Sequence, residues 1–551
     1  MIKNRIAILL TVISGVVFLC KTITAQQLNE NKKYSWDNLP EVIVPVFRED
    51  TLDIRSFGAI GDGRTLNTES INTAIQACSE KGGGVVLVPS GYWMSGPIVL
   101  KNDVNLHLDE NAFLQFTPDF DEYKIIEGNY EGKPSARNES PISGKGLKNI
   151  AITGRGTIDG SGDAWRMVNR DKMTEKQWKE KVASGGLVSE DGKLWFPSQK
   201  TKLAHDQKRS VLLGDNKSLT DFEDIKDYLR PNLLVLTECE NILLENVTFQ
   251  NSPAWNLHPL MCENLTIKGV LVKNPSYAQN GDGIDIESCS NVLIEGCTLD
   301  VGDDAICIKS GKDEEGRKRG MPTQRVVIKN NKVYRGHGGF VVGSEMSGGA
   351  RDIFVENCTF MGTDKGIRFK TTRGRGGLVE NIHIRNINMF DIDQEAIYFD
   401  MYYWTKPPKA NEPQEIPAVT VETPQIRGVF IENISCRGAD VAVFIRGLPE
   451  MPIENINMVN LNMETKQGVQ IKDAVGISID SASVYTTDPD DVIYVESSRE
   501  LTFNRFNYDI KKGLIEVHGE RSKNINLSNT EFDSTKASFK NGSKPIVLNV
   551  N

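Results

Sequence analysis

One recurring phrase constrains this chain more than any other feature: a polar residue or Gly, two aliphatics separated by one residue, then Asn or Gly beside a small apolar residue. It reads Asn241-Ile-Leu-Leu-Glu-Asn-Val, Asn264-Leu-Thr-Ile-Lys-Gly-Val and Asn291-Val-Leu-Ile-Glu-Gly-Cys. It returns as Asp352-Ile-Phe-Val-Glu-Asn-Cys, Asn381-Ile-His-Ile-Arg-Asn-Ile and Gly428-Val-Phe-Ile-Glu-Asn-Ile, with weaker copies at Asn149, Arg325, Asn455, Gly476, Glu500 and Asn524. Most copies start 21 to 34 residues apart. Apolar alternation with period two makes each copy a strand. One strand per superhelical turn, each pairing with the next at ~4.8 Å, describes an all-β, right-handed parallel β-helix. A leucine-rich repeat has a similar period but needs a Leu-rich signature and a repeated helix, and neither is present. A solenoid also explains how 551 residues with 48 glycines avoid the usual ceiling of ~300 residues on a single core.

Two stretches interrupt the repeat. Asn67 to Gly82 places Ile71, Ala74, Ile75 and Cys78 at helical spacing, a short helix that caps the N-terminal end. Residues 161–230 hold no copy but carry a charged helical stretch, Asp171 to Ala183, and a segment around Trp195. The expected organisation is a signal peptide over 1–25, an N-terminal extension over 26–50, and one β-helix domain over 51–551 with a long insertion at about 161–230. The signal reading rests on Lys3 and Arg5 before the apolar run Ile6 to Leu19, with a cleavage site before Gln26. That run is too short to span a bilayer, and Leu19 stands where lipidation of Cys20 needs a small residue. The protein is expected to be exported to a periplasmic or extracellular space, without a stable membrane span.

Removing residues 1–25 takes away Lys3, Arg5 and Lys21 and no acid, moving the formal charge from −10 to −13. That balance argues against a nucleic-acid partner. Two basic stretches, Lys309 to Arg319 and Lys365 to Arg375, each read alone as a solvated loop. Cys297 and Cys358 occupy the slot of Val247 and Ile387, so the cysteines read mainly as unpaired core residues.

Stacking lets one sequence align with itself. Gly281-Asp-Gly-Ile-Asp-Ile, Asp303-Asp-Ala-Ile-Cys-Ile, His337-Gly-Gly-Phe-Val-Val and Asp364-Lys-Gly-Ile-Arg-Phe share two apolar columns. If those columns are core, Asp282 lies over Asp304 and His337 over Asp303, while Arg368 and Lys370 project outward nearby. Singly, Gly-Asp pairs are turns and alternating cations are solvated. Their convergence gathers three carboxyls, a histidine and two cations on one face.

These residues resemble glycoside hydrolase family 28, the polygalacturonases, which carry four motifs in order. Here they stand as Asn280-Gly-Asp282, Gly302-Asp-Asp304, Gly336-His-Gly338 and Arg368-Phe-Lys370. Gly281 departs from the family's central Thr. The resemblance implies a pectin-lyase-like solenoid that hydrolyses α-1,4-galacturonosyl linkages in pectic polysaccharide or oligogalacturonides. It implies Asp303 as general acid, Asp282 and Asp304 holding the attacking water, and His337 tuning the acid, with inversion at the sugar. Arg368 and Lys370 would hold a galacturonate carboxylate, with Asn280, Asn256 and His258 as further substrate contacts. No cofactor or metal is expected.

A rhamnogalacturonan-directed hydrolase, a β-helix lyase and a non-catalytic pectin-binding solenoid are the alternatives. A lyase is expected to need calcium-binding acids with an Arg or Lys base, and a binding solenoid has no need of three acids. The insertion 161–230 and the stretch Gly311 to Pro322 suggest a cleft closed at one end, hence exo action. Oligomeric state is open.

Overall fold

The computed structural model describes residues 34–214, 217–407, 416–544 and 548–550; the expected signal segment 1–25 lies outside them. Residues up to Pro40 form one unit, in which Ser35 bridges to Asn38, and Glu41 onward forms the other. Within the second unit, the chain from Thr51 winds into a right-handed parallel β-helix. One sheet stacks 14 strands from Ile98–Val99 to Ser538–Lys540; the other stacks 25. In the larger sheet, strand pairs such as Glu240–Glu245 and Thr248–Gln250 give way to single long strands such as Leu378–Phe390 and Gln425–Arg437.

The repeat Asn has a conformational cause. Asn241, Asn264 and Asn291 all sit at φ between 56° and 58°, a left-handed corner that Asn tolerates better than most residues. Their amides then climb the solenoid: Asn241 donates to Asn149 at 3.0 Å, Asn264 to Asn241 at 3.2 Å and Asn291 to Asn264 at 3.3 Å. Inside the corner, Ile242, Leu265, Val292, Val326, Ile353 and Ile382 stack in register and are fully buried. The eight described cysteines are free and buried, and Cys297 and Cys358 belong to the same apolar core as Val247 and Ile387.

The helix Thr68–Glu80 buries Ile71, Ala74, Ile75 and Cys78 against the first coils. The insertion folds into the helices Glu175–Ala183 and Gln199–Asp206 and a small antiparallel sheet that includes Leu194–Phe196. Its Ala204, Phe222, Ile225 and Leu229 pack with Ala136. Ala136 belongs to an antiparallel hairpin, Ile125–Tyr130 with Lys133–Asn138, that the repeat pattern does not announce. Among the described residues no helix is long and apolar enough to cross a membrane.

Candidate active site

The 14-stranded sheet builds the site. Leu257–Leu260, Ile284–Glu287, Asp304–Lys309, Gly338–Val342 and Ile367–Lys370 are consecutive neighbours. Ile284 pairs with Ile306, Ile306 with Phe340 and Phe340 with Ile367, which is the register implied by self-alignment. With these columns inward, the polar positions before them converge on a cleft of about 530 Å³.

Asp282, Asp303 and Asp304 each present a carboxyl oxygen within 4.8 Å of the others. They are the set of described residues spaced to hold a cation, but the charge of Asp304 is already met: Lys370 Nζ lies 2.6 Å from Oδ2 and Arg368 Nη1 lies 3.2 Å from Oδ1. His337 Nδ1 lies 3.0 Å from Asp303 Oδ1. Asn280 lines the cleft and accepts a hydrogen bond from Arg230 Nη2 at 2.9 Å. A Cβ on Gly281 would meet the Ala278 Cβ at 2.7 Å and its carbonyl oxygen at 2.9 Å. The departure from Thr at that position therefore has a local steric reason.

Arg368 and Lys370 leave the core columns as expected and line the cleft, where both engage Asp304 and Lys370 is buried (5% exposed). Two expectations need correcting. Asn256 and His258 do not reach the cleft: they are 0% and 1% exposed. His258 sits between Asn232, at 3.1 Å from Nδ1, and Glu287, at 2.8 Å from Nε2. Asn256 is enclosed with neither amide atom hydrogen-bonded, and nothing in its surroundings explains that. Their neighbour Trp255 is the residue that lines the cleft, its ring 4.6 Å from Lys309 Nζ. Finally, the two basic stretches are not solvated loops, because Lys309, Lys365, Lys370 and Arg375 are all buried and line the cleft.

Lys309 and Glu345 are functional candidates that sequence reasoning missed. Lys309 reaches Glu345 at 3.1 Å and Asp285 at 3.6 Å behind the acid cluster. Asp285 is 0% exposed and neither carboxyl oxygen has a hydrogen-bond partner. A charged carboxylate that accepts no hydrogen bond is costly in such a place, and burial, opposed by Lys309 and reinforced by Asp304, pushes the pKa of Asp285 well above the carboxylate range. Tyr403 also lines the cleft, its ring under Arg368 and Lys370. The sequence signals were a charged residue following Cys307 in a strand and aromatics trailing the Arg-x-Lys motif.

The electrostatics divide the acids. Burial first, then Asp303 and Asp285, raise Asp282 well above the ordinary range. Burial acts in the same direction on Asp304, but Lys370 and Arg368 outweigh it and hold that carboxylate ionised. The hydrogen bond to Asp303 raises His337 above its usual value. Burial opposes ionisation of Glu345, yet Lys309 and Lys370 bring its pKa down to about 2. One face thus sets a carboxyl whose ionisation is opposed beside one whose ionisation is favoured, the kind of division that acid/base hydrolysis uses.

A parallel β-helix with such carboxyls facing one cleft fits the class of carbohydrate hydrolases. The chain belongs to glycosyl hydrolases family 28, whose model matches residues 215–474. A second model, "Rhamnogalacturonase A/epimerase, pectate lyase-like", matches residues 51–196. An exopolygalacturonase of Thermotoga maritima is 31% identical with a TM-score of 0.62, over 81% of this chain and 92% of that one. A protein of Vitis vinifera named "Probable polygalacturonase" is 29% identical over 426 residues, 76% of this chain and 74% of its own. The family 28 exopolygalacturonase of Yersinia enterocolitica, 24% identical with a TM-score of 0.59 over 91% of this chain and 78% of that one, shares the fold. The protein is a glycoside hydrolase.

Proposed function

We propose that the enzyme hydrolyses α-1,4-galacturonosyl linkages in pectic galacturonan, releasing sugar from a chain end. The observation that carries this reading is the acid cluster set between cations in a single cleft. Asp303 is the general acid, protonating the leaving oxygen; its side chain is 20% exposed, against 1% for that of Asp304, and it faces the cleft. Asp282 and Asp304 hold the attacking water. His337 orients that carboxyl through the 3.0 Å contact.

Inversion is the expected stereochemistry. The carboxyl oxygens, all within 4.8 Å of one another, lie closer than the ~6.5–9.5 Å usual for inverting pairs, so spacing alone would favour a covalent intermediate. The condition of the carboxylates favours inversion instead. Asp304 is tied by two cations, and Asp282 is held in its neutral form. Neither is a free nucleophile, whereas both can orient a water.

End-directed action is supported by a strap across the cleft. Glu131, at the hairpin tip, pairs with Lys312 at 2.7 Å, Lys133 pairs with Asp313 at 2.7 Å, and Asp313 also pairs with Arg375. Backbones touch there: a Cβ on Gly132 would lie 2.5 Å from the Lys312 nitrogen. On this reading the bridge narrows one end of the cleft and favours a chain end over a passing polymer. Export follows from the N-terminal segment on the same reading. The test is release of reducing ends from polygalacturonate with and without a chelator. Hydrolysis that persists under chelation and leaves no unsaturated uronide supports the proposal. Calcium dependence with an unsaturated product would replace it with a lyase.

A further inference from the structure

Next to the catalytic cleft lies a second cavity of about 410 Å³ that shares Glu131, Gln279, Asn280 and Lys312 with it. The hairpin and the insertion supply most of its wall, and two arginines dominate its chemistry. Arg137 is 8% exposed, rests over the Tyr130 ring at 5.3 Å, and makes one neutral contact, from Nη2 to Asn232 Oδ1 at 3.3 Å. Arg230 donates to the carbonyls of Pro253 and Gln279, at 3.0 and 2.8 Å, and to Asn280. Neither guanidinium forms an ion pair among the described residues, although Lys133, Arg209 and Lys312 around them all do. Burial and the charge of Arg230 bring the pKa of Arg137 down to about 10, so two cations are held together against their own repulsion.

Such an arrangement is costly unless an anion completes it. A guanidinium fork matches a carboxylate, and Tyr130 and Tyr228 in the same wall offer faces for a sugar ring. Arg230 bonds to Pro253, Gln279 and Asn280, on coils before the strand Asp304–Lys309, whereas Arg368 and Lys370 stand on a strand after it. We propose that the cavity is a second uronate site, binding the carboxylate of another sugar of the same substrate chain. It rests on the galacturonan reading above and deepens it, because carboxylate sites on both sides of the acids select consecutive uronates over uronates alternating with neutral sugars.

The test pairs enzyme and substrate changes. Wild type, Arg137→Gln and Arg137→Lys are compared on an oligogalacturonide and on the same oligomer with one terminal carboxyl at a time neutralised as its methyl ester. For one of the two esters, wild type should lose about 10- to 100-fold in kcat/KM. Arg137→Gln should lose as much on the fully charged oligomer and show no further loss on that ester, while Arg137→Lys keeps part of the preference. Equal losses by Arg137→Gln on charged and esterified substrates would mark Arg137 as merely structural and overturn the proposal. If no galacturonide is hydrolysed, the activity reading fails, and calorimetric titration with galacturonate still decides the site. Weaker binding by Arg137→Gln supports it, and binding unchanged from wild type overturns it.

Discussion

Lys370 Nζ lies 2.6 Å from Asp304 Oδ2, with both side chains nearly inaccessible to water. The cation that the motif order assigns to a substrate carboxylate is therefore also the group that keeps a proposed catalytic carboxylate ionised. On the proposed reading, substrate grip and acid–base poise share one side chain.

Lys370→Met should accordingly lower kcat as well as raise KM, and should lower thermal stability. Breaking a buried pair by removing one partner costs roughly 3–5 kcal/mol. Asp304, left buried without its main cation, should titrate higher, moving the acidic limb of the pH–rate profile upward. Unchanged kcat with an unchanged pH profile would show that Lys370 acts on substrate alone.

Asp303→Asn should lose about 10²–10⁴-fold in kcat, because an amide supplies no proton. Melting temperature and binding of an oligogalacturonide should stay near wild type. Retention of a large fraction of activity would remove Asp303 from the acid role.

The buried acids carry opposite signs in pH-dependent stability. Asp285 has a raised folded-state pKa. Between the ordinary carboxylate value of ~3.9 and that raised value, the unfolded chain binds fewer protons than the folded one, so stability falls as pH rises. Asp304, depressed in the fold, contributes stability above ~3.9 that is lost as pH falls through its folded value. Asp285→Asn cannot ionise. As pH rises above the ordinary carboxylate range it should therefore lose less stability than wild type. Parallel stability curves for the two proteins would contradict a neutral Asp285.

Shortening the hairpin tip at Asn129–Gly132, together with Lys312→Ala, should open the strap that now joins Glu131 to Lys312. Products longer than those of wild type should then appear early in digestion, as resolved by anion-exchange chromatography. An unchanged product pattern would mean that the strap does not set where the chain stops.

Much of this arrangement was legible because a strand's side chains alternate strictly between faces. With Ile284, Ile306, Phe340 and Ile367 as core, the positions of Asp282, Asp304 and His337 follow by counting. Counting gives the face of a side chain but not what covers that face. Asn256 and His258 leave the core columns as expected, yet His258 is enclosed by Glu287 and Asn232 from neighbouring coils. The same limit hid the engagement of Lys370 with Asp304. The hairpin at 125–138 was invisible for another reason: Glu131 meets Lys312 across a sequence separation of 181 residues, and no local pattern records such a pair.

The most direct test of the whole account is the earliest product of polygalacturonate digestion by wild type, followed over time beside Asp303→Asn. The account predicts that short saturated galacturonate released from chain ends appears first, with little loss of viscosity, and that the variant releases almost none. An early ladder of long oligomers with rapid viscosity loss would contradict the closed cleft, and full activity in the variant would contradict the acid cluster.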